Sequence, residues 1–116
     1  MIRLERFSIS LIYLREDAPE MSAAELEALQ DRHMAHNADM HAAGHLLVAG
    51  PVLSPQLRGL SIYATDLDET RALAEANPSV QAGRHRVEVY PWLVPSGLIR
   101  YDPRPTPRSA AEVEEP

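Results

Sequence analysis

The chain has 116 residues, enough for one domain with a core, since 45% of them are hydrophobic. Its formal net charge of −6 disfavours nucleic acid and anionic membrane surfaces, which call for basic patches. It has no cysteine and no lysine, so disulfides, thiolate zinc sites, thiol nucleophiles and Schiff-base chemistry are all excluded.

The first element is read as a strand, because Phe7, Ile9, Leu11 and Tyr13 alternate with Ser8, Ser10, Ile12 and Leu14. Charges at Arg3, Glu5 and Arg6 occupy the place where a signal peptide needs an apolar run, and no apolar stretch approaches bilayer length. A soluble, cytoplasmic protein is expected. Ser22 followed by Glu25 forms a capping box that opens a helix, and Gly44 closes it. Leu26, Leu29, His33, His36, Met40 and Ala43 fall on one stripe of that helix, with His33 near its middle.

His45 to Leu53 reads as a strand apolar on both faces, closed by Gly50-Pro51. After a turn at Ser54-Pro55-Gln56 the next strand spans Leu57 to Thr65. Asp66 and Glu69 form a second capping box, opening a helix to about Ala76 that Asn77-Pro78 ends. A loop or single turn over Ser79–Gly83 leads into a last strand, Arg84 to Val94. Six of the ten prolines lie from Pro91 onward, which marks 95–116 as a Pro-rich C-terminal extension. It is expected to hold one short strand over Gly97–Tyr101 and then a mobile tail from Asp102.

The order βαββαβ predicts an α+β, ferredoxin-like domain over residues 1–94. Its four-stranded antiparallel sheet carries both helices on one face. Leu47, Ala49, Tyr63, Tyr90, Trp92 and Ile12 are assigned to the other face. An apolar face of that size predicts a homodimer, with a monomer covered by its own C-terminal segment as the alternative.

Three stretches carry a family resemblance. His33 with Gly44 and Leu46-Leu47-Val48-Ala49-Gly50-Pro51 is the first. Asn77-Pro78-Ser79-Val80-Gln81-Ala82-Gly83 and Val87-Glu88-Val89-Tyr90-Pro91-Trp92 are the others. In order and spacing, from residue 5 to 94, they resemble the YciI-like (YCII-related) family. The resemblance implies a dimeric α+β barrel with a pocket between helix and sheet. It also implies a His–Asp pair, and at least one member acts as a dehydrochlorinase on a chlorinated hydroxyquinol. His33 matches the histidine; the acidic position is Asn77, a departure from the pattern.

His33 is the candidate proton-transfer group, since an imidazole acts as acid or base near neutrality. Asn77 can orient the ring but brings no charge, and in the serine-protease triad the corresponding Asp-to-Asn change costs about 10⁴ in rate. The competing reading makes His33 a hydrogen-bonded core residue. His36, Gly50, Pro51, Tyr63 and Trp92 are candidate substrate-binding residues; Arg84 and Arg86 could bind an anionic substrate, though solvated arginines on a strand are the commoner case. Asp39 and Glu75 are substitutes for the missing acid. His41 and His45 are four apart but straddle Gly44, and no helical HxxxH motif with a third ligand exists, so no metal is expected; no phosphate-cradling or nucleophile-elbow motif points to a cofactor either. The first reading is therefore a cofactor-free lyase, isomerase or dehalogenase acting on a small, aromatic or dicarbonyl molecule. The alternative is a non-catalytic binding or accessory protein on the same scaffold. A cofactor-free oxygenase on the related barrel is a third, weaker reading.

Overall fold

The computed structural model describes residues 1–116. Strand β1 spans Leu4–Leu14, β2 Leu46–Pro51, β3 Leu57–Tyr63 and β4 His85–Pro95. Helix α1 spans Ala23–Ala42, α2 Leu67–Glu75 and α3 Pro78–Gln81. The strands form one sheet in the order β2-β3-β1-β4, antiparallel throughout, so the expected ferredoxin-like α+β fold is the observed one. No helix is long and apolar enough to cross a membrane.

Local chemistry explains the helix ends. At α1, Ser22 Oγ accepts from the Glu25 amide at 3.1 Å, and the Glu25 carboxylate accepts from the Ser22 amide at 3.1 Å. The matching box at α2 is only half formed. Asp66 accepts from the Glu69 amide at 2.8 Å, while the Glu69 carboxylate lies 3.9 Å from His45 instead of turning back to the cap. Gly44 closes α1 with a φ of 81°, a conformation glycine adopts without Cβ strain.

Pairing register decides the faces. Ser10 pairs with Ser61 and Val89, and Ile12 with Gly59 and Val87; all of these turn toward the helices. Tyr63 pairs with Ser8 and Leu46, and Ala49 with Ser61, so Tyr63, Ala49 and Ile12 belong to the helix side and not to the open face. For Ala49 the reason is a register shift between Leu46 and Val48, which breaks the alternation of β2; Tyr63 and Ile12 share the face of Ser8, Ser10 and Ser61, which the helices cover although it is the less apolar one in sequence. Tyr63, 2% exposed, packs with Met40 and Leu46 in the core. The open face instead carries Ile9, Leu11, Leu60, Ile62, Tyr90 and Trp92. Leu60, Tyr90 and Trp92 are each exposed by 40% or more.

The C-terminal extension does not cross that open face. Residues 97–101 form turns and no strand, and the chain then runs along the outside of α1. Tyr101 donates its hydroxyl to the His41 carbonyl at 2.7 Å, and Arg108 pairs with Asp39 at 2.9 Å. The amide of Ala110, which starts a short 3-10 helix, donates to Asp31 at 2.9 Å. His41 is buried between β2 and this extension: Nδ1 meets the Leu46 carbonyl at 2.9 Å, Nε2 the Arg104 carbonyl at 3.2 Å, and the Tyr101 ring lies 5.0 Å away.

Candidate functional site

The stripe reading of α1 brings His33 inward, and the chain reversal after α2 brings Asn77 against it. Asn77 caps α3: its Oδ1 accepts from the Ser79 amide and the Ser79 hydroxyl, both at 2.9 Å. Pro78 at the first helical position suits the turn, its missing N–H being one that has no partner there in any case. The same amide, 2% exposed, meets the His33 ring. Asn77 Oδ1 lies 3.0 Å and Nδ2 lies 2.8 Å from His33 Nδ1.

This amide serves either tautomer. With the proton on Nδ1, the ring donates to Oδ1 and leaves Nε2 bare, the form a base needs. With Nδ1 bare, Nδ2–H donates to it and the proton sits on Nε2, the form a hydrogen-bond donor needs. A carboxylate would permit only the first arrangement. On the other side of the ring, Asn37 Nδ2 is 3.5 Å from Nε2. Burial pushes the His33 pKa below its ordinary value, the Asn77 contact raises it, and the charge of His36 lowers it. The net direction is down, which favours a neutral ring.

His33 and Asn37 form part of the wall of a cavity of about 770 Å³ between α1 and the sheet. Ile12, Gly59 and Ser61 form its floor, and Gly50 and Pro51 lie across it from α1. Arg58, Arg84 and His85 also line it, as do Thr106 and Ala110 of the extension. His85 is shifted down to about 4, by burial first and then by the charges of Arg84, His33 and Arg58.

The expected residues therefore divide. His33, Gly50 and Pro51 line the cavity, and Asn77 stands directly behind His33. His36 turns away, its Nε2 meeting the Leu73 carbonyl at 3.0 Å. Tyr63 is in the core and Trp92 on the open face. Asp39 is occupied by Arg108 and does not reach His33. No group of three His, Asp or Glu side chains is arranged to hold a metal ion. Arg58 and His85 were missed by sequence reasoning, and Arg84, read there as a solvated strand arginine in preference to an anion-binding one, lines the cavity. The available signal was topological: β4 starts beside the end of β1, with His85 opposite Leu14, and so at the same end of the sheet as the start of α1.

An antiparallel α+β sheet, roofed on one face by helices and with an amide-held histidine in its cavity wall, defines the class. The chain belongs to the YCII-related domain family, which matches residues 9–93. Among solved structures it is similar to the 5-chloro-2-hydroxyhydroquinone dehydrochlorinase TftG from Burkholderia phenoliruptrix AC1100, in complex with 2,5-dihydroxybenzoquinone. The identity is 21% and the TM-score 0.51, over 74% of this chain and 92% of that one. At this identity the likeness speaks for the fold. No curated protein sequence matches the chain.

Proposed function

We propose that this protein is a cofactor-free proton-transfer enzyme of the lyase, isomerase or dehalogenase kind. Its substrate is a small aromatic or dicarbonyl molecule taken into the cavity beneath α1, and its setting is the cytoplasm. The observation that carries this reading is the His33–Asn77 contact at the cavity wall, which leaves Nε2 with only a long contact, 3.5 Å, to Asn37 Nδ2. With Nδ1–H donating to Asn77 Oδ1, Nε2 takes a proton from an acidic carbon or hydroxyl and returns it elsewhere on the molecule. Loss of a leaving group such as chloride needs no further participant once the carbanion or enolate has formed. The neutral amide stabilises the resulting imidazolium less than a carboxylate does, so turnover is expected to be slow. TftG, a dehydrochlorinase with 2,5-dihydroxybenzoquinone bound, supports the reaction type and the ligand size.

Asn77 also favours a second reading, a binding protein on the same scaffold that does no chemistry. One experiment separates the two. The protein is incubated with a panel of hydroxyquinols, chlorinated hydroxyquinols and cyclic diketones in D₂O, and carbon-bound deuterium and released chloride are followed. Enzymatic turnover that falls by about 10²-fold or more in His33→Ala supports the first reading. Ligand binding without exchange or chloride release, in the wild type and in Asn77→Asp alike, supports the second.

The assembly proposed is a homodimer with the open sheet faces together, as a dimeric α+β barrel requires. Its support is the row of exposed apolar side chains on that face, which the extension leaves uncovered.

A further inference from the structure

The charges around the cavity run against those of the whole chain. The sequence holds 17 Asp and Glu against 11 basic residues, yet the only carboxylate lining the cavity is Glu115 near the C-terminus. Its other ionisable lining groups are His33, His41, Arg58, Arg84 and His85.

The two arginines differ from the rest. Arg15, Arg71, Arg86, Arg104 and Arg108 each sit within 4.0 Å of a carboxylate. Arg3, Arg6, Arg32 and Arg100 are exposed and keep their water. Arg58 and Arg84 are half-buried with no acidic partner. Arg58 spends only Nε, donating to the Pro55 carbonyl at 2.8 Å, and Arg84 makes no side-chain hydrogen bond. Withdrawing a cation from water without a counter-charge is costly, and two such cations on one cavity leave a vacancy for negative charge. The wall carries other unspent capacity. His85 Nδ1 and Thr106 Oγ1 are shut off from water without a partner, each a cost that a bound molecule can relieve if the side chain rotates toward it.

We propose that the cavity takes a planar organic anion, its carboxylate or ring oxyanion held by Arg58 and Arg84 and its ring lying toward His33. This rests on the cavity being the ligand site, as proposed above, and adds the charge and chemical class of the ligand. The guanidinium fork suits a delocalised two-oxygen anion, and the neutral walls of Ile12, Gly50 and Gly59 suit the flat remainder.

Calorimetric titration with salicylate, ionised 2,5-dihydroxybenzoquinone and the neutral salicylamide tests this. The anions should bind at least about tenfold tighter than the amide. Arg58→Gln and Arg84→Gln should each shrink that ratio severalfold, with folding checked by circular dichroism. Raising salt from about 50 to about 300 mM should weaken the anions selectively. Equal affinity for salicylate and salicylamide, or a ratio untouched in both arginine variants, overturns the charge assignment and leaves the cavity as the ligand site. Failure of all three probes to bind removes both proposals together.

Discussion

The Asn77 oxygen caps α3, and its amide also reaches His33. Aspartate caps as well as asparagine, so Asn77→Asp should fold normally. The new carboxylate would hold Nδ1–H and stabilise the imidazolium, raising the His33 pKa. An NMR titration of the His33 ring protons checks this; an unmoved midpoint would show that the pair is not coupled. His85 gives a second prediction. Its folded pKa lies near 4 against an ordinary 6.5, so the unfolded chain takes up the proton first. Stability is then full above about pH 6.5 and declines as pH falls toward 4, with His33 acting in the same direction. His85→Gln should flatten the decline in a series of urea melts between these limits. A parallel decline in the variant would exclude His85 as its source. At this scale the sequence revealed His33 through helical spacing and Asn77 through its family position. Arg58 stayed hidden and Arg84 could not be told from Arg86, which pairs with Glu88, because an arginine's lack of a partner becomes visible only when every carboxylate has been located.

The elements were read more easily than their faces. Ser22-x-x-Glu25 and Gly44 delimit α1 because each satisfies end groups that the helix itself cannot. Ser22→Ala removes one bond of the box and should cost about 1 kcal/mol, a Tm drop of about 4 °C by circular dichroism. An unchanged Tm would mean that tertiary packing alone fixes this helix start. Asp66 followed by Glu69 has the same spelling, yet Glu69 is drawn toward His45, a partner that lies far away in sequence. Tyr63 was misassigned because the helices cover the serine-bearing face of β1 and β3 and not the more apolar one. In β2, apolar on both sides, the pattern carries no parity, and one slip between Leu46 and Val48 moves Ala49 to the helix side.

At the scale of the molecule, the sequence predicted the βαββαβ order and the greasy sheet face, and both are present. The composition of that face was wrong in part. Ile62 and Trp92 lie on it, whereas Tyr63 and Ala49 do not. Static light scattering should give twice the mass of one chain, and Ile62→Glu, which sets a charge at the proposed seam, should return it to that of a single chain. A single-chain mass for the wild type would sink the dimer. The path of the extension was not legible at all. Its prolines announce irregular backbone but not a surface, and the bonds that hold it reach Asp31, Asp39 and His41, scattered along a helix more than fifty residues earlier.

That path has a practical side for anyone producing the protein. Glu115 borders the cavity, so a purification handle fused after Pro116 begins at the doorway of the binding chamber and competes with whatever enters. Met1 lies fully in the open, and a handle placed before it starts away from that doorway. Ligand screens run on the two versions should therefore disagree, and the version tagged in front of Met1 is the one to believe.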